Sequence, residues 1–429
     1  MRVAVIGTGY VGLVSGACLA DLGHTVTCVD VVPEKVASLQ RGEMPIFEPG
    51  LEEIVARNAH AGRLRFTINY AEAVPGADVI SMAIGTPSAE DGSVDMTAFF
   101  NAVSSVASSL TGYAVIANKS TVPVGTAEKV EALVRAQFQR EFDVVSNPEF
   151  LREGHAVYDF LHPARVVIGS ASRRATDVMI HLYGYLDCAK LVMDRRSAEL
   201  TKYAANAFLA TKLSFINEVA HLAEVVDADV EAVAQGLGSD PRIGKEFLKA
   251  GLGWGGSCFP KDVRALMYLA DTHGHALPVT RAAYQMNKIT RTRVIDRLTA
   301  ALGDVRGKTI AVLGLAFKGN TDDTRESASL DLIRMLGSFG ATIRVYDPVA
   351  RVTSMDELGV DIEHLADPYA AALGAHAVLV ATDWEEFKGM DLPRLRKGMT
   401  GDILFDARNI LSPDLATSAG FRYLRVGKK

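Results

Sequence analysis

Arg2-Val-Ala-Val-Ile-Gly-Thr-Gly-Tyr-Val-Gly12 is the stretch whose reading decides the fold. Arg2–Ile6 is a short apolar run of strand-forming residues, and Gly7, Gly9 and Gly12 follow it at GxGxxG spacing. A helical pattern through Leu13, Ala17, Leu19 and Leu22 comes next, then a second strand-like run from His24 to Asp30. GxGxxG alone is a weak signal. Between a strand and a helix, with an acidic residue about 20 positions on, it is the context of a dinucleotide site. The glycines permit a tight turn, so that a pyrophosphate rests on the N–H groups at the helix start, where Tyr10 and Val11 also lie. Asp30 is placed to accept from ribose hydroxyls and to repel a 2′-phosphate, which selects NAD over NADP.

Working outward, strand-like runs recur at 63–67, 77–83, 114–117 and 143–146, with helical stretches between several of them. That alternation predicts a doubly wound α/β domain. The runs end in Gly85-Thr86-Pro87, Ser120-Thr121-Val-Pro123 and Asn147-Pro-Glu149-Phe150. Ligands of open α/β sheets bind beyond the carboxyl ends of strands, so these turns should line the crevice. Turn chemistry alone is a fair account of Gly85 and Pro87. It is a weaker account of Glu149 and Glu153, two carboxylates one helical turn apart in sequence.

From about Ser197 to Ala228 the pattern is helical with neither Gly nor Pro. A helix of about 30 residues spans roughly 45 Å. It is apolar on more than one face, which predicts that it links two domains and buries against a second chain. Lys202 and Asn206 share one of its faces. At Gly307 a strand–helix pattern restarts, with strands at 308–314, 342–346, 377–381 and 402–405. There Gly314-Leu-Ala-Phe-Lys318-Gly319 replaces GxGxxG and reads as a mononucleotide site, with Lys318 reaching a phosphate. The expected architecture is two Rossmann-like doubly wound domains, 1–196 and 304–429, around a helical middle, 197–303.

That middle carries Gly253-Trp-Gly-Gly-Ser-Cys258-Phe-Pro-Lys-Asp262. Its glycines free the backbone for close approach to a ligand, and Pro260 is suited to opening a helix. Taken alone, Cys258 reads slightly better as a small core hydrophobe than as a nucleophile. With a dinucleotide-type fold upstream, a nucleotide-type fold downstream and the Lys202–Asn206 face between them, it reads as a nucleophile.

Composition sets outer limits. The 429 residues are 48% hydrophobic and 22% charged, as in globular enzymes. A net charge of −6 argues against a nucleic acid or an anionic membrane as partner. No apolar run is long enough to span a bilayer, and no metal site is expected. The four cysteines (Cys18, Cys28, Cys188, Cys258) are spread without CxxC, as in a reducing, cytoplasmic setting.

Together these residues resemble the nucleotide-sugar dehydrogenases, over essentially the whole chain. The resemblance rests on GTGYVG (Gly7–Gly12), FEPGL (Phe47–Leu51), GTP (Gly85–Pro87), KSTVPVGT (Lys119–Thr126), NPEFLREG (Asn147–Gly154), ELTKYAAN (Glu199–Asn206), RIGKEFLKAGLGWGGSCFPKD (Arg242–Asp262) and LAFKGNTDDTRES (Leu315–Ser327). Relatives acting on GDP-mannose share several of these. The long approach from Arg242 to the cysteine resembles the branch acting on UDP-glucose.

The resemblance implies two successive NAD-dependent oxidations of the sugar C6 alcohol, through an aldehyde to a carboxylate. Cys258 adds to the aldehyde as a thiohemiacetal, whose oxidation leaves a thioester for water to hydrolyse. A free thiol is only a few per cent ionised at neutral pH, so a cation helps; Lys202 is the candidate, also for the oxyanion, with Asn206 donating to the same oxygen. Asp262 orients Lys202 or the hydrolytic water, and Glu149 with Thr121 handles the proton of the first oxidation. Gly85, Thr86, Thr121, Glu153 and Arg325 serve NAD, and Lys35 supports Asp30. Phe150, Leu151, Lys249, Gly255, Phe259, Lys318 and Arg408 line the substrate site with Glu149, Lys202 and Asn206. Arg242 either reaches a neighbouring subunit's site or makes an interface ion pair, in a homodimer or larger homo-oligomer. The rivals are a GDP-mannose or UDP-N-acetylhexosamine dehydrogenase, a two-electron hydroxyacid dehydrogenase that needs no thiol, and a non-catalytic NAD-binding regulator.

Overall fold

Strand and helix alternate along most of the chain, and the computed structural model, which describes residues 1–352 and 358–429, sorts them into two compact units. One comprises Met1–Ala205 with Arg264–Gly274, the other Asn206–Val263 with His275–Lys429.

The first unit is built on an eight-stranded sheet: β1 (Arg2–Ile6), β2 (Thr25–Val29), β3 (Leu64–Thr67), β4 (Val79–Met82), β5 (Val115–Asn118), β6 (Asp143–Ser146), β7 (Arg165–Gly169) and β8 (Ala189–Met193). The order is β3-β2-β1-β4-β5-β6-β7-β8. Neighbours run parallel except at β6–β7, which pair antiparallel at Ser146 and Gly169. β4 and β5 are buried at every position, as parallel strands covered on both faces must be. The order reverses between β1 and β4, and ligands of this fold bind at such a switch point. Gly7 has φ +98°, and a Cβ there would come within 2.5 Å of the Ala83 carbonyl oxygen; one on Gly12 would strike the Gly7 carbonyl. A Cβ on Gly9 would meet nothing within 4 Å. Gly7 and Gly12 thus serve the chain's own packing, while Gly9 leaves room at the helix start.

The second unit holds a six-stranded parallel sheet: β9 (Thr309–Leu313), β10 (Thr342–Tyr346), β11 (Ile362–His364), β12 (Ala377–Val380), β13 (Ile403–Asp406) and β14 (Arg422–Arg425), in the order β11-β10-β9-β12-β13-β14. It repeats the turn chemistry of the first sheet without its glycine fingerprint. Gly314, at φ +103°, faces Thr382 as Gly7 faces Ala83. Asp347, after β10, accepts from Leu315 N at 2.7 Å and Ala316 N at 3.1 Å, as Asp30 accepts from Thr8 N at 2.9 Å. The strands β7, β8, β11 and β14 were not among those expected from sequence.

The long helix runs Arg195–Val226, 32 residues or about 48 Å. Two further helices, Phe259–Thr272 and Pro278–Leu302, follow the Gly-rich loop. Among the described residues no helix is long and apolar enough to cross a membrane.

Candidate active site

In the first unit, β6 ends in the turn that carries Glu149, and the long helix carries Lys202. The Lys202 ammonium donates to Glu149 Oε1 at 2.9 Å, with the two side chains 4% and 6% exposed. Leu151 N donates to the other oxygen of Glu149. Burial alone would push the Glu149 carboxyl up; the Lys202 ammonium, the Leu151 N–H and Lys119 outweigh it and hold the group below its ordinary value. Glu149 is therefore a carboxylate at neutral pH. The Phe150 ring lies under the Arg165 guanidinium at 3.6 Å, with the Lys202 ammonium at 5.4 Å. Asn147 fixes the start of this turn, donating to Val167 O at 2.8 Å and accepting from Tyr183 Oη at 2.7 Å. Thr121 offers its carbonyl to Thr86 Oγ1 at 2.9 Å, joining the turns after β4 and β5. Gly85 has open space where a Cβ would stand.

Around the fingerprint, Asp30 Oδ2 accepts from Thr8 N, from Thr8 Oγ1 at 2.6 Å and from Lys35 Nζ at 3.0 Å. Burial opposes its charge, but Thr8 and Lys35 prevail and lower its pKa. Tyr10 is engaged elsewhere, its hydroxyl bonded to Glu48. Glu48 also accepts from Gly154 N and Ala156 N, both at 2.7 Å, which ties the 153–157 turn, with buried Glu153, to the first helix. Val11 is half-buried in that helix.

In the second unit, Cys258 stands immediately before the Phe259–Thr272 helix. Its carbonyl accepts the first helical bond, from Asp262 N at 2.9 Å, and its half-buried thiol lies 3.5 Å from Ser257 Oγ. Asp262 is 1% exposed; its Oδ2 accepts from Asn206 Nδ2 at 2.6 Å and its Oδ1 from Lys261 Nζ at 2.5 Å. Both of its oxygens are therefore paired, so it is not a bare charge one turn from the thiol.

The glycines of the loop differ in purpose from the expectation. A Cβ on Gly253 would run into Asn287 Oδ1, one on Gly255 into Glu326 O, and one on Gly256 would lie 2.8 Å from the Phe317 ring. Gly256 N also donates to Arg325 O at 3.0 Å. The chain itself, rather than a ligand, fills the space these glycines leave. Arg408 likewise spends its donors on carbonyls: Ala381 at 2.7 Å, Phe317 at 2.9 Å and Gly253 at 3.4 Å. The Lys318 ammonium is 5.4 Å from the Phe317 ring centre, and Arg325 pairs with Asp323 at 2.7 Å. Phe259 packs 6.2 Å from Phe247, Lys249 is exposed, and exposed Arg242 pairs with Asp240 at 2.6 Å.

Several residues escaped the sequence reading. Glu199 accepts from Gly125 N at 2.6 Å, Ala127 N at 2.9 Å and Ser146 Oγ at 3.0 Å, tying the long helix to the turn after β5 and the end of β6. Glu48, Asn217, Asn287 and Arg291 are the others. Their signal was a polar residue at helical spacing inside an apolar stretch, or an acidic residue inside a quoted motif.

Three family models of the UDP-glucose/GDP-mannose dehydrogenase family match the chain: the NAD binding domain over residues 1–187, the central domain over 196–289 and the UDP binding domain over 311–413. The UDP-glucose 6-dehydrogenase of Rhizobium meliloti (strain 1021) is 46% identical, with all of both chains covered. UDP-glucose 6-dehydrogenase TuaD of Bacillus subtilis (strain 168) is 44% identical over all of this chain and 93% of its own. Among solved structures, a UDP-glucose dehydrogenase from the hyperthermophilic archaeon Pyrobaculum islandicum superposes with a TM-score of 0.93 at 39% identity, covering 100% of this chain and 98% of its own. The chain belongs to the UDP-glucose/GDP-mannose dehydrogenase family.

Proposed function

We infer that this chain oxidises UDP-glucose at C6 to the carboxylate, with NAD as the oxidant and Cys258 as the nucleophile. It is an NAD-dependent dehydrogenase with two Rossmann-like domains. The substrate follows the full-length relatives, both UDP-glucose 6-dehydrogenases. The observation that carries the role of Cys258 is its setting. Cys18 and Cys28 are fully buried, and burial pushes both thiols up to about 12. Cys258 is half-buried at a helix N-terminus, where anionic groups are favoured.

The fingerprint fits NAD: Gly9 leaves space at the helix start and ionised Asp30 closes β2. Gly7–Gly12, Asp30, Lys35, Gly85 and Thr86 would hold it, and bound NAD supplies a hydride acceptor for each of two oxidations. Glu149, kept ionised by Lys202, accepts the alcohol proton through Thr121 and a water. The Cys258 thiolate then forms a bond to the aldehyde carbon, and the carbonyl π pair moves onto oxygen. Lys202 and Asn206 stabilise that oxyanion. Loss of the second hydride leaves a thioester. Water adds, the carbon–sulfur bond breaks, and Cys258 returns with the carboxylate released.

The domain limits 1–196, 197–303 and 304–429 belong to this reading, as does a cytoplasmic setting, which suits four free cysteines. A homodimer is part of it as well, seated on the exposed stripe of the long helix.

The test is turnover against a panel of UDP-glucose, GDP-mannose and UDP-N-acetylhexosamines. Two NADH per UDP-glucose are expected in the wild type, with overall turnover lost in Cys258→Ser. Preference for another sugar nucleotide, or one NADH per sugar, would overturn the assignment.

A further inference from the structure

We propose that Asn287 is a positioning residue for the Cys258 loop, acting through the main chain of Trp254. The proposal rests on the reading of Cys258 as nucleophile. Asn287 Oδ1 accepts from Trp254 N at 2.8 Å, and Asn287 Nδ2 donates to Trp254 O at 2.9 Å. One side-chain amide therefore satisfies both backbone groups of one residue, as a neighbouring strand would. Arg291, one turn further along the same helix, adds a second donor to Trp254 O at 2.7 Å and pairs with Asp331. The indole N–H of Trp254 donates to Ser214 Oγ at 2.9 Å on the long helix. Gly251 N, upstream, donates to Asn217 Oδ1 at 2.8 Å. Trp254 is 4% exposed and Asn287 6%, so none of these groups has water as a ready substitute.

The need for the clamp follows from the loop's own sequence. Gly255 and Gly256 separate Trp254 from Ser257 and Cys258, and glycine is the residue with most backbone freedom to lose. On the other side the thiol is fixed by Asp262 N on its carbonyl and by the Asn206–Asp262 bond. On the near side the fixed points are Gly256 N on Arg325 O and the Trp254 clamp. Asn287 also sets the shape of the loop directly, since its Oδ1 occupies the place of a Gly253 Cβ at φ +84°. An error of about 1 Å in a reacting group costs on the order of 100-fold in rate. A thiol at the end of two glycines requires such an anchor.

The experiment compares the wild-type enzyme with Asn287→Ala and Asn287→Asp. It measures kcat and KM with UDP-glucose and NAD, and hydrogen exchange of the peptide spanning Gly251–Phe259. Asn287→Ala is expected to lower kcat by about 10- to 100-fold, with both KM values within about threefold. The Gly251–Phe259 amides should exchange at least tenfold faster while those of β9 and β12 keep their rates. Asn287→Asp retains the acceptor for Trp254 N, and Arg291 still serves Trp254 O, so it should recover part of kcat. Should Asn287→Ala not fold, the same readings on Asn287→Asp decide the matter. Wild-type kcat with unchanged loop exchange in a folded variant overturns the proposal, as does a loss confined to KM. Failure of the wild type to form two NADH per sugar would instead remove the functional reading, leaving the exchange result to stand by itself.

Discussion

Lys202 and Glu149 form an ion pair almost wholly removed from water, and such pairs are held by mutual need more than by net gain. Removing one partner strands the other, at about 3–5 kcal/mol. Glu149→Gln is therefore expected to lower Tm well beyond what a surface change does, and to slow the first oxidation. The sign of its pH dependence is fixed. The folded-state pKa of Glu149 is depressed below its ordinary value of 4.5, so the pair's contribution is complete above that value and is lost as pH falls through the folded one. Thermal melts from pH 7 downward should show the wild type losing its advantage over Glu149→Gln only below about 4.5. An advantage that shrinks between pH 7 and 5 would contradict the ionised pair. Lys202 and Asp262 stand out in the sequence as charges in an apolar or Gly-rich context, and Glu149 by its spacing to Glu153, but the Lys202–Glu149 pair itself was not foreseen. Glu199 and Glu48 were not legible, because most of their partners are backbone N–H groups, those of Gly125 and Gly154 among them at 74 and 106 residues away, and no residue type announces an N–H.

At the level of elements, the three fingerprint glycines that look equivalent in sequence have different duties. Gly7 sits at φ +98° against the Ala83 carbonyl, whereas Gly9 has φ −67° and open surroundings. Gly7→Ala combines a left-handed backbone penalty of about 1–2 kcal/mol with a steric one of about 1–3. Gly9→Ala carries neither. The expected outcome is a lowered Tm and lost NAD binding for Gly7→Ala, against an unchanged Tm with weakened NAD binding for Gly9→Ala, read by calorimetry and by NAD titration. Gly314→Ala should resemble Gly7→Ala in the melt, since its Cβ would enter Thr382 at φ +103°. Equal melts for the Gly7 and Gly9 variants would refute this division. Strands β1–β6, β9, β10, β12 and β13 were legible as apolar runs, all of them interior except the edge strand β3. The missed ones are mostly short or edge-lying: β11 has three residues, β14 is at most half-buried, and β8 leaves Leu191 43% and Val192 50% exposed. A strand with one partner and little burial carries little apolar signature.

At the scale of the whole molecule, the fold class followed from the strand–helix alternation and the punctuation after each strand, while the proposed homodimer is argued from the surface of the long helix. Phe208, Phe215 and Leu222 recur every seven residues along it and remain 66%, 51% and 60% exposed. Single exposed apolar residues are ordinary, but a spaced line of three large ones along one helix face is the pattern of a contact. Covering such a side chain contributes about 1.5–3 kcal/mol when complete, so the exposed fractions of six of them, three per copy, amount to roughly 5–11 kcal/mol. Association costs about 4–15 kcal/mol, so the stripe by itself is near balance and a charge at its centre should undo it. Phe215→Glu is expected to sediment at half the wild-type mass at micromolar concentration with its Tm for the monomer intact. Leu415→Glu, more exposed still at 65% but on a short helix of the second unit, should leave the mass unchanged. A Phe215→Glu protein that keeps the wild-type mass would place any dimer contact on another face.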